Sequence, residues 1–259
     1  MTAPCPAVPT QFTVPPAIVL NGVSKRFDPK GPLVLDSVTA TIRRGEFVCL
    51  LGASGCGKST LLNLIAGLDH PTEGSVTVAS GRAAVMFQDP ALLPWLSARR
   101  NVELALTLRG VARRQRQATA LELLDIVSLA DAAERRPHEL SGGMRQRVAL
   151  ARSLAQDRPV LLMDEPFAAL DAITRDLLHE ELEQVWRATG RTIVFVTHNV
   201  REAARLGQRV ILLSSRPGRI VREWIVDDRG PRRIESPEVS RLSIEITEQL
   251  RREIRRNAA

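Results

Sequence analysis

The chain has 259 residues, 44 % of them apolar, enough for one large core or two smaller ones, which excludes a wholly disordered chain. No apolar run approaches the roughly eighteen residues a spanning helix needs, so no segment is expected to cross a membrane. The net charge of +7 invites a polyanion, but the arginines of "RRQRQ" and "RREIRRNAA" stand almost without aromatics, and the chain is 3 % aromatic with no tyrosine. Bases would have little to stack on, so nucleic acid is not an expected partner, whereas anionic lipid headgroups would suit such a surface equally well.

In chain order, "MTAPCPAVPTQFTVPP" lacks the basic and apolar blocks of a signal peptide, and its proline density predicts an extended arm over residues 1–16. The protein is accordingly expected to stay in the cytoplasm. Three cysteines, Cys5, Cys49 and Cys56, are too few and too oddly spaced for a disulfide framework or a zinc site. "AIVLNGV", "SVTATI" and "SVTV" carry β-branched alternation between turn residues and predict an antiparallel region within the first eighty or so residues. "EFVCLL" (Glu46–Leu51), "VLLMD" (Val160–Asp164) and the start of "TIVFVTH" (Thr192–His198) are nearly continuous apolar runs, the pattern of strands covered on both faces. Cys49 is thus read as a buried strand residue. Between them, from about Ser97 to Arg136, leucines and alanines fall at helical spacing and predict a helical insertion. At the end, Val239, Leu242, Ile246 and Leu250 fall on one stripe of an amphipathic helix that should pack on the core. Alternating strands and helices give a layered α/β fold.

The strongest motif is "GASGCGKST", Gly52, Ala53, Ser54, Gly55, Cys56, Gly57, Lys58, Ser59 and Thr60, between a strand and the helical "LLNLIAGL". Glycines let successive backbone N–H groups face phosphate oxygens, the helix N-terminus adds partial positive charge, and Lys58 reaches the β- and γ-phosphates. Ser59 is placed to hold Mg²⁺. Cys56 lies near that helix N-terminus, where a thiolate is favoured; its pKa is expected to be lowered, and a thiol reagent would block nucleotide access. At the carboxyl end of a buried strand, where open α/β sheets bind ligands, Asp164 would hold the metal through water and Glu165 would act as general base. Gln88, ending "AAVMFQ", can offer its amide to metal and water, or be an ordinary strand-end residue. His198 can orient the water, or be one more satisfied polar residue. "ELSGGMRQR" (Glu139–Arg147) reads as a second anion-binding helix start.

The ordered set of Gly52–Thr60, Gln88, "LSGGM" (Leu140–Met144), "VLLMDEP", "ALD" (Ala169–Asp171) and His198 closely resembles the nucleotide-binding subunit of ATP-binding cassette (ABC) transporters over nearly all of residues 17–215. The resemblance implies a P-loop NTPase (RecA-like) core over 17–90 and 152–218, a helical signature subdomain over 91–151 and a C-terminal extension over 219–259. It implies ATP and Mg²⁺ as cofactors, and a second ABC subunit whose Ser141, Gly142 and Gly143 cap the γ-phosphate held by the opposite phosphate loop. Asp171 would couple the two sites. Phe27 would stack on adenine, in place of the family's commoner tyrosine. "DPALLPWLSARRNV", with Leu92, Leu93, Trp95 and Leu96, would receive a membrane permease, or else fold under the helical insertion. "FQDPALLPWLSARRNV", "DEPFAALDAITRDLLHEEL" and "LLSSRPGRIV" resemble the nitrate/sulfonate/taurine importer group. That implies a peripheral subunit on the cytoplasmic face of the inner membrane, served indirectly by a solute-binding protein. "THN" at His198–Asn199 and the arginine-rich tail beyond Arg229 depart from that group. The rival classes are a soluble ABC ATPase acting on nucleic acid or ribosomes, which usually carries two cassettes or a long coiled coil, and a regulatory nucleotide-binding module.

Overall fold

The computed structural model describes residues 15–226 and 232–258. Most of the arm expected over 1–16, Cys5, and residues 227–231 lie outside these. Two sheets organise the described chain. In the first, strands β1 (Ile18–Lys25), β2 (Leu35–Ile42) and β4 (Glu73–Val78) pair antiparallel in the order β2-β1-β4. Alternation buries Ile18, Leu20, Val38, Ala40 and Ile42 on one face. The pairing slips between Val23 and Lys25, opposite Ser37, whose φ of 49° marks the extra residue of a bulge.

The second sheet is the core, in the order β5-β6-β7-β3-β8-β9. Strands β5 (Ala84–Met86), β6 (Val160–Asp164), β7 (Thr192–Val196), β3 (Phe47–Leu51) and β8 (Arg209–Leu213) are parallel. Strand β9 (Ile220–Ile225) returns antiparallel beside β8, so the core sheet continues beyond residue 218. Every residue of β3 and β7 is buried, as continuous apolar runs require. Successive side chains of β3 serve opposite layers. Val48 and Leu50 join Leu61, Leu62 and Ile65 of helix α1 (Lys58–Ala66) and the antiparallel sheet. Phe47, Cys49 and Leu51 face the other helices. There Phe47 meets the edge of Trp186 at 5.6 Å, an aromatic pair contributing about 1 kcal/mol beyond its buried area, and the Trp186 Nε1 donates to the Gly45 carbonyl.

Helices α2 (Ala98–Leu108) and α3 (Arg113–Ile126) fall in the stretch read as a helical insertion, and α4 (Gly142–Ala155), α5 (Ala172–Thr189) and α6 (Val200–Leu206) complete that layer. Ser97 caps α2 by accepting from Arg100 N. Asn101, fully buried, accepts from Leu93 N at 2.8 Å and donates to the carbonyls of Leu93, Leu96 and Ser97. That one amide fixes the turn before α2. The terminal helix α7 (Pro237–Ala258) buries Val239 and Ile246 and packs Leu242 and Leu250 against the core, as its stripe predicts.

Candidate functional site

The phosphate loop joins the carboxyl end of β3 to α1, with Gly57 in the left-handed region at the helix start. The Lys58 ammonium is buried within the loop and donates to the carbonyls of Gly52 and Ala53, both at 3.0 Å. Loop and surroundings line a cleft of about 480 Å³, a size suited to a nucleotide. Of the sequence-predicted residues, Phe27, Ser54, Gly55, Gly57, Lys58, Ser59, Thr60 and Glu165 line it. Phe27 is 70 % exposed, with the Lys25 ammonium 5.3 Å from its ring centre. Asp28, Gly31, Pro32 and Val34 of the β1–β2 connection and Arg216 of the β8–β9 turn also line the cleft and had no sequence motif to reveal them.

Cys56 corrects the expectation drawn from its helix position. Its side chain is buried, its Sγ stands 2.6 Å from where a Gly52 Cβ would lie, and burial raises the thiol pKa against the opposing pull of Lys58 and backbone N–H groups. Desolvation outweighs the helix N-terminus, so the thiol stays protonated and shielded from reagents. Cys49 is fully buried in β3, as expected.

Asp164 ends β6 half-buried. Burial raises its pKa and the neighbouring Glu165 charge adds to that, while a hydrogen bond from Ser59 and the Lys58 charge oppose it. A hydroxyl bonded to a carboxylate that is short of positive charge is a hard oxygen pair suited to Mg²⁺, which binds proteins through one or two such ligands plus phosphate oxygens. Glu165 holds φ at 44°, a conformation costing a non-glycine residue on the order of 1–3 kcal/mol and concentrated at functional sites. Its N–H donates to the Val196 carbonyl, its carbonyl accepts from Ala168 N, and its Oε2 lies 2.8 Å from His198 Nδ1. Strands β6 and β7 are parallel neighbours, so residues 33 apart in sequence meet at the carboxyl end of the sheet. Gln88 stands exposed beyond β5; its backbone carbonyl accepts from Gln146 Nε2 of α4 at 2.9 Å, and it does not line the cleft.

Ser141, Gly142, Gly143 and Asp171 lie apart from the cleft lining. Ser141 caps α4 through Met144 N, and Asp171 caps α5 through Thr174 N, a backbone bond that with the Thr174 hydroxyl holds the Asp171 carboxyl below the usual range. Gly143 brings the two helix starts together, since a Cβ there would stand 2.5 Å from Thr174 Cγ2. Ser141, Gly142 and Asp171 remain exposed, so two helix N-termini, each capped by its own Ser141 or Asp171 side chain, open on one surface.

A doubly covered, mostly parallel sheet, a glycine-rich phosphate loop after β3 and a carboxylate at the end of β6, one strand removed from β3, define a P-loop nucleotide-binding domain. The second helix start on a separate surface narrows the class. Residues 35–168 match the ABC transporter family, and the chain belongs to that family, whose ATP-binding proteins are ATPases. It is 49 % identical to the nitrate import ATP-binding protein NrtD of Synechocystis sp., over 76 % of this chain and 77 % of that protein. It is 46 % identical to the aliphatic sulfonates import ATP-binding protein SsuB 1 of Mesorhizobium japonicum, over 90 % and 88 %. The taurine import ATP-binding protein TauB of Burkholderia pseudomallei is 46 % identical over 85 % of this chain and 90 % of its own length. Among solved structures, the dimeric structure of MJ0796, a bacterial ABC transporter cassette, superposes with a TM-score of 0.73 at 36 % identity, covering 81 % of this chain and 99 % of that one. A dimeric post-hydrolysis state of MJ0796 bound to ADP and Pi gives 0.71 at 35 % identity, with the same coverage.

Proposed function

We propose that this ATPase energises import of a small anion, an aliphatic sulfonate, taurine or nitrate, through separate membrane permease subunits. The observation that carries the catalytic reading is the Glu165–His198 pair beside the cleft that Lys58 and Ser59 line. In this reading Lys58 exchanges its two loop carbonyls for the β- and γ-phosphate oxygens of ATP. Glu165 takes the proton of the attacking water, and His198 fixes the carboxylate's orientation. Ser59 and Asp164, with Gln88, would hold Mg²⁺, which neutralises phosphate charge when bound. The Gln88 carbonyl also ties the segment after β5 to α4 through Gln146. The exposed starts of α4 and α5 fit a two-fold assembly in which Ser141, Gly142 and Gly143 of one copy close on the γ-phosphate of the other, with Asp171 along the same face.

The permease contact in this assembly is the turn that Asn101 fixes. Trp95 is 66 % exposed and Phe87 46 %, while Leu92 packs on the core. An exposed tryptophan on a pinned turn supports docking more than folding under the insertion. No helix among the described residues is long and apolar enough to cross a membrane, so the pathway for the anion would come from partners. The protein would then act at the cytoplasmic face of the cell membrane, with a solute-binding protein delivering the anion on the other side.

The test is growth of a strain lacking this chain, with taurine or an aliphatic sulfonate as sole sulfur source, or nitrate as sole nitrogen source. Growth should fail on one of them and return with the wild type but not with Glu165→Gln. Undiminished growth on all three would contradict the substrate class.

A further inference from the structure

The turn "SSRPGR" between β8 and β9 is built to press against the phosphate loop. Ser214 closes it, its N–H donating to the Arg219 carbonyl, its hydroxyl donating to the Pro217 carbonyl at 2.7 Å and accepting from Arg219 N at 2.9 Å. Gly218 then docks it, donating to the Val34 carbonyl and accepting from Asp36 N. A Cβ on Gly218 would stand 2.3 Å from the Cys56 carbonyl oxygen, so only glycine permits this approach. Arg219 adds a fork of bonds to the Asp36 carboxylate.

This scaffold delivers Arg216. Its Nε donates to the Gly55 carbonyl at 3.0 Å, and the side chain lines the cleft with Lys58 and Ser59. Among the described residues neither of its Nη groups has a hydrogen-bond or ion-pair partner, whereas Arg219 and Arg222 are neutralised by Asp36 and Glu245. A planar guanidinium fixed at one edge with its other donors unused is suited to a multiply charged oxyanion, such as a phosphate group, that offers it two oxygens. We propose that Arg216 is a second cationic contact for the phosphate chain of the bound nucleotide, acting beside Lys58 from outside the phosphate loop. The proposal rests on the cleft being the nucleotide site.

Electrostatic contact and mere bracing of the loop differ in what they discriminate. A lost charge weakens ligands in order of their negative charge and steepens with falling ionic strength. A loosened loop weakens all ligands alike. The experiment is calorimetric affinity for a non-hydrolysable ATP analogue, for ADP and for adenosine, at low and high salt. Wild type, Arg216→Gln, Arg216→Lys and Lys58→Ala are compared. Gln still donates to the Gly55 carbonyl but carries no charge. It should weaken the triphosphate roughly three- to tenfold at low salt, ADP less and adenosine not at all, with Lys recovering part of the loss. Equal weakening of all three ligands, or none, overturns the proposal while Lys58→Ala still loses phosphate-dependent binding. If Lys58→Ala keeps wild-type affinities, the cleft reading itself fails.

Discussion

Glu202, on α6, is 4 % exposed and joins three elements around the turn that carries His198. Its Oε2 accepts from the Thr197 hydroxyl, which also accepts from Asn199 N, so the turn presenting His198 is clamped from both sides. Its Oε1 lies 3.4 Å from Arg175 Nε and 3.5 Å from His179 Nε2. Arg175 in turn donates to the carbonyls of Phe167 and Leu170, just ahead of Asp171. Glu202→Gln keeps the volume and removes the charge. Breaking a fully buried pair costs about 3–5 kcal/mol, and a hydrogen bond to a charged group contributes about 1.5–3. The Arg175 side chain is 24 % exposed and keeps two carbonyl acceptors, so the expected loss is about 2–3 kcal/mol in urea unfolding at pH 7. The pH dependence provides a second readout. Burial alone would raise the Glu202 pKa, but His179, the Thr197 hydroxyl and the Arg175 charge together hold it below the ordinary glutamate value of 4.5. A depressed folded-state pKa stabilises above the unfolded value, and that contribution disappears as pH falls through the folded one. The gap between wild type and variant should therefore be full at neutral pH and shrink below about pH 4.5. A gap under about 0.5 kcal/mol at pH 7, or one unchanged on acidification, would mean that the Glu202 charge does not hold these elements together.

Asp164→Asn should behave oppositely in stability. The raised Asp164 pKa means that the ionised carboxylate opposes folding at neutral pH, so the variant measured without nucleotide should be more stable by about 0.5 kcal/mol after screening, a gain that fades as pH falls through the raised folded-state value and is gone by about pH 3.8. A lower melting point would show that the carboxylate is already compensated. The same variant should lose the magnesium dependence of nucleotide binding; a retained dependence, read by calorimetry with and without the metal, would remove Asp164 from the metal site.

The parts of the fold legible from sequence are those whose physics is local. Continuous apolar runs marked β3, β6 and β7 because a strand covered on both faces admits little else, and the stripe of α7 announced its buried side. Asp164 and Glu165 were legible because a strand end in an open α/β sheet is where ligands gather. What escaped was created by neighbours distant in sequence. Arg216 reaches the cleft only because β8 lies beside β3 and Gly218 fits under the Cys56 carbonyl, neither of which leaves a periodic trace. Cys56 misled for the converse reason, since the helix start was visible and the burial that overrides it was not. The core sheet's extension past residue 218 was not legible because β9, half exposed and carrying Arg222 and Glu223, lacks the apolar run that marked the other strands.

In the proposed assembly Ser141 completes a site on another copy, and the measurement that decides this is ATPase rate per molecule against protein concentration, for wild type and Ser141→Arg. The wild-type rate should rise with concentration as copies pair, and the variant, whose added side chain blocks the α4 helix start, should be inactive throughout while still binding ATP. A wild-type rate independent of concentration together with an active variant would mean that each chain hydrolyses ATP alone, and the composite site would be contradicted.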